Sequence, residues 1–199
     1  MSPPRFVHLQ VHSDFSMIDG IAKVKPLVKA CVENNMVAMG LTDFTNFCGL
    51  VRFYGEALSS GVKPIIGADV LVQNELCGEE RFRLTLLAKN NEGYKNITLL
   101  LSKAYERGYT DVPYIDQQWL VEHRAGVIVL SGGVNGDVGK KLLRSNTDEL
   151  KSAVDFLGVF AHRLLCELNL AICVLEHYNT PHISDAGWSS LVARRAHNP

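Results

Sequence analysis

The run Phe6-Val7-His8-Leu9-Gln10-Val11-His12 places imidazoles and an amide at alternate positions, and the polar loop Ser13-Asp14-Phe15-Ser16-Met17-Ile18-Asp19-Gly20 follows directly. Successive side chains of a strand point to opposite faces, so His8, Gln10 and His12 share one face and Val7, Leu9 and Val11 the other. Neighbours on one face lie about 7 Å apart, within reach of one small site. Imidazole nitrogen and carboxylate oxygen at the end of a rigid strand are the donors of a zinc or manganese site. The same residues also fit partly exposed histidines on a strand with no ligand. Further on, an apolar run over 36–41 leads into Thr42-Asp43, and a strand over 64–72 carries Asp69. In parallel α/β folds, ligands bind at the carboxyl ends of the strands, so His12, Asp43 and Asp69 converge on one rim. The alternative is that Asp43 caps the following helix and Asp69 faces solvent.

The elements that must position these groups alternate in type. Apolar residues at Ile21, Val24, Leu27, Val28, Cys31 and Val32 recur in steps of three and four, which predicts an amphipathic helix over 21–35. A short buried strand over 36–41 follows, then a helix over 48–59 that Gly61 stops, then the strand over 64–72. A polar turn at 77–80 leads to a strand over 82–88. Asn90 or Asn91 caps a long helix over 92–107, with Ile97, Leu100, Leu101 and Ala104 on its buried stripe. A loop over 108–113, a short helix over 115–122 and a strand over 126–131 come next. Gly132-Gly133 breaks that strand, helices span 137–144 and 148–160, and a last strand spans 163–168. This alternation predicts a largely parallel sheet.

Composition narrows the function classes. A chain of 199 residues is long enough for one large domain with a substantial core. Its net charge of -1 leaves no electrostatic case for general nucleic-acid or membrane-surface binding. No apolar run approaches the roughly 20 residues of a membrane span, and the start of the sequence lacks the apolar core of a signal peptide. The five cysteines form no CxxC pair, which fits free thiols in a reducing cytoplasm. The spacing of His162, Cys166, Cys173 and His177 matches no common zinc frame.

The stretches FVHLQVHSDFSMIDG, GLTDFTNFCGLVRFYGEA, KPIIGADV, LTLLAKNNEGYKNITLLLSKAYERGY and GVIVLSGG together resemble one family in order and spacing. It is the N-terminal PHP (polymerase and histidinol phosphatase) domain of the alpha subunit of bacterial DNA polymerase III, and the likeness covers about residues 1–168. The resemblance implies an α/β fold, a distorted β/α barrel of PHP type with a metal site at its C-terminal rim. Intact members bind a cluster of divalent metals and hydrolyse phosphate esters. The alpha subunit as a whole is the Mg-dependent catalytic polymerase of chromosome replication, a cytoplasmic, membrane-free assembly. By the same resemblance, its partners are the proofreading exonuclease and the other holoenzyme subunits, and DNA is reached through polymerase domains that this sequence lacks.

Carried over residue by residue, the family's ligand set is broken. His12, Asp19, Asp43, Asp69 and Glu167 match ligand positions, Asp69 standing where Glu is usual. Gln10, Phe44 and Arg83 stand where the family has histidines. Gln is a weak ligand beside imidazole, Phe ligates nothing, and a cation at 83 opposes a bound dication and would instead pair with Asp69 or Asp43. The resemblance therefore points to a vestigial site with no catalytic residue, holding at most a residual Zn, Mn or Mg. It is similar to the degenerate PHP domains that support some proteobacterial polymerases and dock their exonuclease. The alternative is a stand-alone metal-dependent phosphoesterase of the same family.

The likeness stops inside the strand predicted over 163–168, and residues 169–199 align with no part of the family. The expectation is a partial PHP domain over 1–168, its barrel incomplete at the C-terminus, followed by a divergent tail over 169–199. A reading frame lost near residue 168 would produce such a tail; a short protein with its own C-terminus is the alternative. Either leaves unpaired sheet edges, so low solubility or marginal stability is expected.

Overall fold

The computed structural model describes residues 7–73, 80–107, 112–144 and 147–160. Its elements in chain order are α1 (Val24–Glu33), β1 (Ala38–Leu41), α2 (Leu50–Ser59), β2 (Lys63–Gln73) and β3 (Arg81–Ala88). There follow α3 (Asn91–Arg107), β4 (Tyr114–Asp116), α4 (Gln117–Glu122), β5 (Val127–Leu130), a single 3-10 turn at Gly133–Asn135, α5 (Asp137–Leu143) and α6 (Thr147–Gly158). The predicted loop over 108–113 lies partly, and the strand over 163–168 and the tail over 169–199 wholly, outside the described residues. So do Cys77, Cys166 and Cys173, while Cys31 and Cys48 are free thiols, buried and exposed respectively.

β2 organises the sheet because it is long enough to take partners in succession along one edge. β1 pairs in parallel with its first half, Ala38 against Lys63 to Leu41 against Ile66. The chain then continues beside β2 as far as a bridge between Phe44 and Asp69. β4 takes over at the far end, Tyr114 against Leu71 to Asp116 against Gln73, again in parallel. β3 lies antiparallel on the other edge, and β5 lies antiparallel to β3. The expectation of a largely parallel sheet therefore holds for β1, β2, β4 and β5, which share one direction, and fails at β3. Residues 74–80 separate β2 from β3, too few for a parallel crossover, which needs about a dozen residues or more, so the chain doubles back.

Several predicted boundaries are corrected by identifiable residues. The helix predicted over 21–35 begins only at Val24, since Pro26 lacks an N–H and is tolerated in a first turn but not in a helix interior. Ile21 is left 95% exposed in the preceding loop, which closes on itself through Asp14 N–H to Ala22 O at 2.8 Å. The helix predicted over 115–122 splits at Asp116. Ile115 is wholly buried in β4, and the Asp116 carboxylate caps α4 by accepting from the Gln118 N–H at 2.6 Å. Of the two candidate caps of α3, Asn90 is the one used, its Oδ1 accepting from the Gly93 N–H at 2.9 Å.

The run 6–12 is the largest correction. Its described part forms no regular strand, only a single parallel bridge between His8 and Met39. It still tracks the outer edge of β1, with Gly40 N–H donating to His8 O at 2.7 Å and Thr42 N–H to Val11 O at 2.9 Å. The ladder fails because the Val11 N–H turns to the Thr42 hydroxyl, 3.1 Å away, instead of a backbone carbonyl. The approach is close: a side-chain carbon at Gly40 would lie 2.6 Å from the Leu9 carbonyl oxygen.

Two apolar clusters fix this arrangement. One joins the sheet to α3, α4 and α6 through residues such as Leu84, Leu86, Ile97, Leu100, Ile115 and Leu157, and the other joins α1 and α2 to β1 through Val28, Phe53, Met39 and Leu41. Each fully buried aliphatic side chain contributes about 1.5–3 kcal/mol. Leu86 on β3 pairs between Ala68 and Val129 and is wholly buried, so it couples three strands. Leu86→Ala is expected to lower unfolding free energy by about 2–5 kcal/mol, read from the urea midpoint at unchanged slope.

Candidate functional site

Asp69 sits in the interior of β2 with its side chain wholly buried. Its Oδ2 accepts from Gln10 Nε2 at 2.6 Å and from His12 Nε2 at 2.9 Å. Its Oδ1 accepts from the Thr85 hydroxyl, which the antiparallel register places directly opposite on β3. The backbone at this point is tied as well, the Thr45 N–H donating to Asp69 O at 2.7 Å. A buried carboxylate is costly unless its lone pairs are met, and here donors from the leading segment and from β3 meet both oxygens.

His12 carries the network outward. Its Nδ1 lies 2.8 Å from Asp19 Oδ1, while Nε2 faces Asp69. Asp19 Oδ1 also accepts from the Ser16 hydroxyl at 2.7 Å. Both ring nitrogens thus face carboxyl oxygens, an arrangement that favours the doubly protonated ring. Burial favours the neutral ring, but the hydrogen bonds and negative charge of Asp69 and Asp19 outweigh it and raise the His12 pKa above 6.5. At Asp19 burial pushes upward, yet Ser16, His12 and Arg83 prevail and hold its pKa below 3.8.

Asp43, 2% exposed, is held from the loop: Ser13 donates its N–H at 2.6 Å and shares its hydroxyl between the two oxygens at 3.0 and 2.8 Å. Burial raises its pKa, and the Ser13 hydrogen bonds offset part of that rise. It does not cap α2, whose first flanking residue, Gly49, has no side-chain cap. The cleft lined by Leu41, Asp43, Asn46, Phe47, Leu50 and Gly67 leaves about 0 Å3 for a water molecule. The Ser16 hydroxyl accepts from the Phe44 N–H at 3.0 Å, so the loop over 13–20 is wound onto the end of β1 at several points.

The sequence-derived candidates divide accordingly. His12, Asp19 and Asp69 form one hydrogen-bonded chain, and Asp43 anchors the base of the same loop. Glu167 lies outside the described residues. Arg83 was expected beside Asp69 or Asp43, and this is corrected. Its guanidinium lies 3.5 Å from Asp19 Oδ2 and 4.8 Å from the centre of the Phe44 ring. The register explains it, since Arg83 faces Leu71, two residues further along β2 than Asp69. Ser13, read from the sequence only as part of the polar loop, holds Asp43, and Ser16 and Thr85, both almost wholly buried, are functional neighbours that the sequence reading does not single out. Their signals were a serine three residues before Asp19 and a lone hydroxyl in the apolar run Leu84-Thr85-Leu86-Leu87.

This donor set does not fit the metal cluster of intact PHP sites. A ligating imidazole must present a bare nitrogen, and both nitrogens of His12 face carboxyl oxygens of this chain. Gln10 turns its amide nitrogen, not its oxygen, to Asp69. Phe44 offers no donor atom, and the Arg83 cation already faces Asp19. Among the described residues, no group of three or more His, Cys, Asp or Glu side chains is disposed to hold a metal ion.

The family model described as the PHP domain matches residues 8–171. The chain belongs to the PHP domain family. Its fold is the α/β, distorted β/α barrel of that family, and among the described residues the sheet ends at β5 without closing. The DNA polymerase III subunit alpha of Pasteurella multocida is 81% identical over 160 residues, 80% of this chain and 14% of the relative. That of Haemophilus influenzae is 74% identical over 159 residues, again 80% of this chain and 14% of the relative. The Vibrio cholerae subunit is 51% identical over 198 residues, with 92% of this PHP chain covered and 17% of the relative. That coverage exceeds residues 1–168 and reaches into the tail left unaligned above. The PHP chain thus spans about 14% of the length of the first two relatives. Among the described residues, no helix is long and apolar enough to cross a membrane.

Expected effects follow from burial. Asp69→Ala strips acceptors from Gln10, His12 and Thr85 at once and is expected to cost about 3–5 kcal/mol, the range for breaking a buried charge pair. Arg83→Ala removes a partly exposed pair and is expected to cost about 0–1 kcal/mol. Equal losses in urea denaturation would contradict this ordering.

The pH dependence has two limbs. His12, raised above 6.5, contributes stability that is complete below pH 6.5 and lost as pH rises through its folded pKa. Asp19, lowered below 3.8, contributes stability present above pH 3.8 and lost as pH falls through its folded value. Asp43, raised above 3.8, opposes Asp19 on the acid limb, because its charged form is disfavoured in the fold. His8, lowered by burial, works the other way as pH rises through 6.5, so His12 is read by difference: His12→Gln is expected to lose less of its urea midpoint than the wild type as pH climbs beyond 6.5.

Proposed function

We propose that this chain is the PHP portion of the catalytic alpha subunit of a bacterial replicative DNA polymerase, and that it is a non-catalytic module. Its role is to stabilise the polymerase and to dock the proofreading exonuclease and, through the parent subunit, the rest of the holoenzyme in the cytoplasm. DNA-templated synthesis, with its Mg, belongs to polymerase domains outside this sequence. The identity of 81% over 160 residues to the Pasteurella subunit supports the parentage.

The observation that carries the non-catalytic reading is the double engagement of His12, at 2.8 Å to Asp19 and 2.9 Å to Asp69. In this reading His12, Asp19, Asp43, Asp69 and Glu167 are the remains of a ligand set that has lost its partners at Gln10, Phe44 and Arg83. A multinuclear hydrolytic site needs several ligands for each metal and an open coordination position. Here the nitrogens and oxygens that would serve are bonded to one another.

The reading is tested by metal content after purification, turnover of a generic phosphate ester with added Zn, Mn or Mg, and association with the exonuclease subunit of the same bacterium. The expected result is no stoichiometric metal, no metal-dependent turnover and a stable complex. Metal-dependent turnover abolished by Asp69→Ala would overturn it in favour of a free PHP phosphoesterase. Resequencing from codon 160 and translating every frame addresses the parentage separately, since a polymerase-like continuation in any frame is expected.

A further inference from the structure

We draw no further inference here: the strongest candidate, the exposed apolar stripe of α2 formed by Val51, Tyr54 and Leu58 with Gly55 between them, is an unpartnered helix face and nothing in the structure shows what covers it.

Discussion

A carboxyl group taken wholly out of water is costly unless donors replace the water it loses. Asp69 is such a group, and the arrangement of this fold around the rim follows from satisfying it. Gln10 and His12 must reach it from the leading segment, so that segment runs beside β1 although it makes only one regular bridge there. Thr85 must stand opposite, which fixes the register of β2 on β3. The loop over 13–20 is then tied down by the second nitrogen of His12 and by Ser13 on Asp43. A single buried carboxyl group thus connects the leading segment, β2, β3 and the loop.

The same network supports the non-catalytic reading proposed for this chain. Clustered carboxylates repel unless a cation lies among them. In a hydrolytic PHP site that cation is a metal, and catalysis depends on its open coordination position. On the non-catalytic reading, the positive charge here comes from side chains instead. The His12 ring, whose pKa these carboxylates raise, lies between Asp19 and Asp69, and the Arg83 guanidinium stacks over Phe44 with Asp19 beside it. Such a cation is fixed by covalent attachment and hydrogen bonds and has no vacant position for water or a phosphate oxygen. The contact energies differ in weight. The pair at Asp69 is buried and expensive to break, while the pair at Arg83 is partly solvated and contributes little. Holding the fold together therefore falls to Gln10, His12 and Thr85 more than to Arg83.

The sequence carried most of the element order from 24 to 158, because strand ends and helix periods are local patterns, and His12 does reach Asp69, while Asp43 is held separately by Ser13. The departures at Gln10, Phe44 and Arg83 are residue identities and are read directly from the sequence. What it did not carry depended on partners distant in the chain. The backbone path of residues 7–12 hinged on the Thr42 hydroxyl taking the Val11 N–H. The partner of Arg83 hinged on a register that places it two residues beyond Asp69 on the neighbouring strand. Pro26 and Asp116 were local signals, a first-turn proline and a helix cap, and weighing them would have moved the starts of α1 and α4 to their observed places. Thr85 became meaningful only once Asp69 was known to lie opposite it.

The most direct test of this electrostatic account is the protonation of the His12 ring, read by nitrogen NMR of the labelled chain near neutral pH. Both ring nitrogens are expected to carry protons, with signals unmoved by added zinc or manganese. A ring with one bare nitrogen, whose signal shifts or broadens as metal is added, would show that the centre still binds as a metal site and that the imidazolium does not hold it.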